Sequence, residues 1–439
     1  MKTLLALTCL VPSILMAQRN GLTLAEVRTK VLAGNPSVRE SLQRITAAEA
    51  VVKQANSAYL PTITLSGNVG HVSSSLHPDS DMDNRHADSF RQAKGGLQGT
   101  WLLFDGFARE ARALGARYGL QQSQELAAET RRLLILSATV SFREAQLAKQ
   151  SVEIAEQDYA FNTNLKDDAR KRFKAGILPE ADVHNFSIRA LLAEISSLQA
   201  KHDFGTACTV LAELMALPEA QLPGSMRPVG IKFEAPALVP PIQGELQYAL
   251  RHRPDYRAIE SGLLALEQQV RVAKGSMLPQ IALVGEINYT DRDGVSTVDR
   301  HGNYDSLVGV TASWDLFTGG RKKATVKQAQ AEMRALAEQK GALRLYIRSS
   351  LRQRIDEAET TRAVFQRQER IYALTVSVRD SVEKSYKAGA ASITRLNEAQ
   401  TDLVQARGGY SSSCIAYQLV LNLLDIDTGR ILGETGLAR

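Results

Sequence analysis

The strongest constraint on this chain of 439 residues is that it is written twice. Trp101-Leu102-Leu103-Phe104-Asp105-Gly106 and Trp314-Asp315-Leu316-Phe317-Thr318-Gly319 share the order W-x-L-F-x-G, 213 positions apart. Phe173-Lys174-Ala175-Gly176 and Tyr386-Lys387-Ala388-Gly389 repeat at the same spacing. Upstream, Leu60-Pro61 matches Leu278-Pro279 and Asn35-Pro36 matches Arg253-Pro254, both 218 positions apart. The five-residue change therefore lies between the Leu-Pro pair and the tryptophan, where a loop absorbs it. Any fold must be assembled from the same parts twice, in the order helix, strand, loop, strand, long helix, turn, returning helix. Residues 18–217 form the first repeat, 244–439 the second, and 218–243, with six of the thirteen prolines, an extended linker.

Periodicity assigns the parts. Leu22 to Tyr59 reads helical, restarted at Asn35-Pro36-Ser37 and ended by Leu60-Pro61, since proline cannot continue the hydrogen-bond ladder. Thr62 to Val69 alternates polar and apolar residues, as does its mate Ile281 to Tyr289. His71–Ala93 and Thr290–Asp305 are rich in Ser, Asp and other polar residues and read as loops. Gly95 to Phe104 and Val308 to Phe317 read as returning strands. Between Gly119 and Gly176 there is no glycine or proline, enough for a helix of roughly 80 Å. Leu126, Leu133, Val140, Leu147, Ile154 and Phe161 recur along it every seven residues, which predicts a coiled-coil seam. In the second repeat Ile347, Leu351, Ile355 and Ala358 form the corresponding stripe. Gly176 and Gly389 turn the chain, Pro179 suits a first helical turn and Ser392 an N-cap. Returning helices follow, with Leu191, Ile195 and Leu198, and with Leu396, Ala399, Leu403 and Ala406, on their apolar faces.

The first 17 residues, with Lys2, an apolar run from Leu4 to Leu15 and Ala17 before Gln18, read as a secretory signal. Beyond them no stretch approaches the ~20 apolar residues of a membrane-spanning helix. Cys208 and Cys414 both fall in helical pattern and imply no disulfide. The net charge of +6 is spread as alternating Lys/Arg and Asp/Glu, the pattern of solvated helix faces and not of a nucleic-acid footprint.

Catalytic signals fail on spacing. Gly319-Gly320-Arg321-Lys322-Lys323 lacks the phosphate-loop spacing and its Ser/Thr. Ser381-Val382-Glu383-Lys384 matches S-x-x-K but has no companion motif. His71, His77 and His86 fit no metal-ligand spacing, and His184, His202 and His252 stand singly in helical pattern. No enzyme, metal or cofactor is expected.

Two strands per repeat make four per chain, too few to close a barrel. In a bilayer an open edge leaves backbone groups unsatisfied at several kcal/mol each, so copies must pool their strands, and three copies would supply about twelve. Six helical hairpins would come with them, enough to wall a hollow cylinder. The fold class is accordingly mainly α with a membrane β-barrel part, shared by a homotrimer.

The duplicated helix–Leu-Pro–strand unit, the W-x-L-F-x-G strand end and the paired K-A-G tips together resemble the TolC family of outer-membrane channels of Gram-negative cells. The resemblance spans nearly all of the chain after the signal. It implies a twelve-stranded barrel in the outer-membrane lipid and a helical tunnel in the periplasm. It further implies a periplasmic adaptor docked on the hairpin tips and an inner-membrane transporter behind it. By resemblance Asp182 and Tyr386 belong to a gate at the tunnel's narrow end, and Phe173, Lys174, Ala175, Gly176, Lys387, Ala388 and Gly389 to the adaptor contact. The second repeat departs from the family pattern: Ala391 stands where an arginine is expected, and Arg395 and Glu398 where aspartates are expected. Arg395 is the repeat mate of Asp182, which places three Asp182 and three Arg395 at similar height in a trimer. Drug efflux and protein secretion are both compatible with such a duct. The alternative is a secreted coiled-coil scaffold or surface-layer protein outside any membrane.

Overall fold

The computed structural model describes residues 21–75, 87–233, 240–293 and 303–434. The expected signal segment lies outside them, as do His77 and His86. The repeat is visible in the element order: α1 (Leu24–Gly34), α2 (Pro36–Ser57), β1 (Thr62–Ser75), β2 (Ala87–Phe104), α3 (Ala108–Lys174), α4 (Glu180–Leu214), then α5 (Ile242–His252), α6 (Pro254–Gly275), β3 (Gln280–Asp293), β4 (Asn303–Ser313), α7 (Arg321–Lys387), α8 (Ile393–Thr428) and a last turn, α9 (Arg430–Glu434). The described residues fall into two compact units, each drawing on both repeats. The first takes residues up to 40, 128–253 and 346 onward; the second takes 41–127 and 254–345.

In the first unit, Thr23 and Glu26 close a capping box over the start of α1. Asn35 ends α1 because its side chain is committed elsewhere: it donates to the Leu214 carbonyl and accepts from the Ser37 amide, and Pro36 opens α2. The core gathers Val27 and Val31 of α1, Ala138, Phe142 and Ala145 of α3, and Leu211 and Met215 at the end of α4. The seam on α3 thus differs from the predicted one. Ile135, Ala138, Phe142 and Ala145 are buried, whereas of the heptad series Ile154 is buried, Val140, Leu147 and Phe161 are half-buried, and Leu126 and Leu133 face outward. Small residues let helices approach closely, so Ala138 and Ala145 are buried beside the large side chains of Ile135 and Phe142. On α7 the expected stripe is the observed one, with Ile347, Leu351, Ile355 and Ala358 all buried. On the returning helices the second repeat again agrees, with Leu396, Ala399 and Ala406 buried, while in the first Phe186, Ala190 and Ala193 are buried and Leu191, Ile195 and Leu198 are exposed.

Two single turns, Pro218–Ala220 and Gly224–Met226, interrupt the linker. Beyond them it is strapped to helices through its own backbone: Gln146 Nε2 donates to the Val229 carbonyl, Lys149 Nζ to that of Pro228, and Gln418 Nε2 to that of Lys232. Phe233 stacks on Tyr410 at 4.6 Å, in a near-parallel set with Phe365 and Tyr372.

The second unit carries an antiparallel sheet in the order β1-β2-β3-β4. Its strands run farther into the expected loops than alternation indicated. β1 continues to Ser75, where Ser73 and Ser74 oppose Ser89 and Asp88, and β3 continues to Asp293. These polar ends are held by the backbone ladder, which leaves no trace in hydropathy. At the other end β4 stops at Ser313, before Trp314-Asp315-Leu316-Phe317, which were read as strand. Its mate β2 reaches Phe104 because β3 pairs with it there across a bulge. β3 begins at Gln280 opposite Ser313, and among the described residues β4 has no strand on its other side.

Candidate functional site

The sheet has two chemically distinct faces. Antiparallel register puts directly opposed residues on one side, so Ile63 shares a face with Gly99, Leu65 with Leu97, Leu97 with Ile287, and Leu283 with Val310. That face also carries Val69, Trp101, Leu103, Tyr289, Tyr304 and Val308, nearly all exposed to solvent in the isolated chain. The opposite face is mainly polar, with Thr62, Thr64, Ser66, Asn68, Gln98, Thr100, Glu286 and Asn288, and also carries Val284 and Leu307. The apolar face is bounded by aromatics. Tyr289 and Tyr304 touch at 4.9 Å toward the loop ends, and Trp101 and Trp314 lie at the helix ends. Both indoles are fixed alike: Trp101 Nε1 donates to the Tyr59 carbonyl and Trp314 Nε1 to that of Met277, each at 2.9 Å. Tyr59 and Met277 are themselves repeat mates. Such a sheet, apolar on one side, polar on the other and unpaired along β1 and β4, matches the walls of transmembrane barrels. No helix among the described residues is long and apolar enough to cross a membrane.

The hairpin tips lie in the first unit. Gly176 and Gly389 both adopt positive φ, and the bond from Ile177 N to Arg172 O is repeated from Ala390 N to Ser385 O. This is the Schellman closure that makes glycine necessary at each tip. Ser392 caps α8 through the Arg395 amide, as expected. Pro179 stands one position earlier than expected, as the N-cap of α4, and makes no side-chain cap bond; Glu180 and Asp182 fill the first turn instead and suit its positive end. Phe173, Lys174, Ala175 and Gly176, with Lys387, Ala388 and Gly389, are all exposed, and so is Ile177.

Of the predicted gate residues, Asp182 and Tyr386 come together within one chain. Burial pushes the Tyr386 phenol above its ordinary range, the Arg172 guanidinium opposes this, and the carboxylates of Asp168 and Asp182 add to it. Arg172 lies over the Tyr386 ring at 5.4 Å and pairs with Asp168 at 2.9 Å. Within the chain Arg395 meets Glu398 at 3.4 Å, and no ion pair joins it to Asp182 among the described residues. A second cluster escaped sequence reading: Glu383 accepts from Lys387 and Arg379, and these contacts hold its carboxyl below the usual range. Both clusters carry i,i+4 charge pairs, Asp168–Arg172 and Glu383–Lys387, which a scan for helical pairs would have raised.

Comparison with known proteins gives a consistent answer. Protein CyaE of Bordetella pertussis is 24% identical over 396 residues, covering 88% of this chain and 79% of its own length. Outer membrane protein TolC of Escherichia coli is 22% identical, covering 92% and 81%. Among solved structures, the outer membrane protein VceC of Vibrio cholerae superposes with a TM-score of 0.74 at 18% identity, covering 92% of this chain and 96% of that one. The CmeC outer membrane channel of Campylobacter jejuni reaches 0.78 at 14% identity, covering 94% and 89%. These structures share the fold: long helices with four strands per chain. The model of the outer membrane efflux protein family matches residues 27–217 and 246–412, one block in each repeat, and the chain belongs to that family.

Proposed function

We propose that three copies of this chain form a passive exit duct through the outer membrane, continued by helical walls into the periplasm and gated at the hairpin tips. The observation that carries this reading is the four-stranded sheet with one apolar face, one polar face and two open edges. Left in water, that face exposes large apolar side chains on every strand. In a closed barrel it meets lipid while the polar face lines the bore, and pooling edges satisfies the orphaned backbone. A coiled-coil scaffold in solution would leave it uncovered.

At the tips, Asp182, Tyr386, Arg395 and Glu398 hold the narrow end. Asp182 and Tyr386 act within a chain, and Asp182 and Arg395 pair between neighbouring copies. Exposed pairs contribute ~0–1 kcal/mol each, so closure depends on several acting together. The exposed segments 173–176 and 387–389 dock a periplasmic adaptor that links the duct to an inner-membrane transporter. Detergent-purified protein should run as a heat-labile oligomer and open discrete conductances in planar bilayers. Asp182→Ala and Arg395→Ala should each raise the open fraction. A water-soluble monomer without conductance would overturn the duct, and unaltered gating in both variants would overturn this gate while leaving the duct intact.

A further inference from the structure

α6 and α2 are repeat mates, yet one is packed and the other bare. α6 lies between two long helices: Arg257 pairs with Glu125 of α3 at 2.6 Å, and Glu260 with Lys340 of α7 at 2.9 Å. It buries Tyr256, Gly262, Gln268, Val270 and Ala273, among others. α2 buries Ser41 alone among the described residues. The first half of α7 is uncovered in the same way. Where α6 packs on α3, Gly115, Gln122 and Glu125 are half-buried, whereas their mates Gln328, Ala335 and Glu338 are exposed.

One charge pair and two size-matched contacts set the α3–α6 junction. Arg257 meets Glu125. Gly262 makes room for the Gln122 carboxamide, whose Nε2 would lie 3.0 Å from a Cβ built on the glycine. Gly115 makes room for Gln268, with 3.3 Å between their Cβ positions. The mates of Arg257 and Glu125 are Arg39 on α2 and Glu338 on α7, the same two charges. Both are exposed, and neither makes an ion pair among the described residues. The mates of Gly262 and Gln122 are Arg44 and Ala335, and those of Gly115 and Gln268 are Gln328 and Ala50. In both contacts the long and the short side chain have changed sides. Each still sets one against the other, which a packed junction requires and a solvated surface does not.

We infer that copies of this chain join with α2 of one seated on the first half of α7 of the next, reproducing the α3–α6 junction. Arg39 pairs with Glu338 of the next copy, Arg44 lies over its Ala335, and its Gln328 lies over Ala50. The inference rests on the oligomeric duct and names the helical seam of its wall. α2 runs into β1 and α7 follows β4, the two outer strands of the sheet, so helices and strands of neighbouring copies meet along one line.

The test uses full-length protein in detergent and reads the temperature at which the oligomer dissociates on a semi-native gel. Arg39→Glu and Glu338→Arg should each lower it by about 5 °C, since repulsion replaces attraction at every seam, and the two together should restore most of the loss. Thermal unfolding of the dissociated chain should be the same in all four proteins. Cysteines give a second reading. Chains carrying Ala50→Cys, co-expressed with chains carrying Gln328→Cys, should yield a disulfide-linked dimer on mild oxidation, because the corresponding Cβ positions within the chain lie 3.3 Å apart. Neither chain alone should do so, and moving the first cysteine to Glu49, about 100° around the helix, should abolish the dimer. Failure of the double reversal to recover stability, or cross-linking that is absent or indifferent to the shift, would overturn this seam. An oligomer that still forms and conducts would then leave the duct standing, whereas a water-soluble monomer would overturn both.

Discussion

Gly106 and Gly319 occupy the same place in the repeat and have the same positive φ, but their surroundings differ. Gly106 is pressed against the Gly275 carbonyl, whereas nothing lies within 4 Å of a Cβ built on Gly319. The mate of Gly275 is Ser57, and in a ring of copies Gly319 would meet Ser57 of the next one. Gly106→Ala should therefore unfold the second unit outright or lower its Tm sharply. Gly319→Ala should cost only the ~1–2 kcal/mol of left-handed backbone strain in a single chain and should instead loosen association, read as a lower dissociation temperature of the oligomer. The glycines and tryptophans of W-x-L-F-x-G were legible in the sequence as a repeated mark, but the close backbone approach that requires glycine was not, because Gly275 is remote in the chain. Tyr410 offers a residue-scale test of another kind. Burial, with Glu369 nearby, pushes its phenol up to about 12. The unfolded chain releases that proton near pH ~10, so the folded state holds more protons between the two values and stability falls as pH rises through that window. Tyr410→Phe should flatten the alkaline limb of the stability curve between pH ~10 and ~12, measured by denaturant midpoint.

At the scale of elements, each repeat helps to interpret the other. The buried stripe on α7, Leu351, Ile355 and Ala358, has as its 213-residue mates Ala138, Phe142 and Ala145, the residues buried on α3. Mapping one repeat onto the other locates these residues, which the seven-residue series from Leu126 to Phe161 misses. The observed seam sets Ala138 and Ala145, which admit a neighbouring backbone, on either side of the bulky Phe142. Phe142→Ala should destabilise the first unit by about 3–5 kcal/mol, whereas Leu133→Ala, 45% exposed, should change chain stability by less than ~0.5 kcal/mol. Parallel denaturant unfolding of the two variants decides which stripe is the core. The strands show a complementary limit. Their apolar middles were readable by alternation, but the extensions Ser73–Ser75 and Ala87–Phe90 join the sheet through backbone pairing, which alternation does not report.

At the scale of the whole molecule, the sheet itself specifies how copies would join. β2 and β3 bring the two repeats together within one chain, with Leu97 opposite Ile287 and Trp101 opposite Leu283. Shifting each partner to its mate turns this junction into one between β4 of one copy and β1 of the next. Val310 then opposes Val69, Trp314 opposes Leu65, and Phe317 opposes Ile63. In this register the segment that fails to form strand here, where Leu316 and Phe317 are 79% and 89% exposed, would pair with β1 of the next copy. It keeps these three pairs on the apolar face, apolar with apolar. A chain carrying both Val69→Cys and Val310→Cys should form intermolecular disulfides on mild oxidation in the membrane and yield a ladder ending at a closed trimer on a non-reducing gel. Either single variant should give no such ladder. Shifting one cysteine to Asn68, on the polar face, should abolish it, since a one-residue slip moves the side chain across the sheet. Ladders that end at another size would revise the number of copies. Cross-linking indifferent to the shift would mean that copies do not reproduce the internal junction, and the closed barrel would then need another geometry.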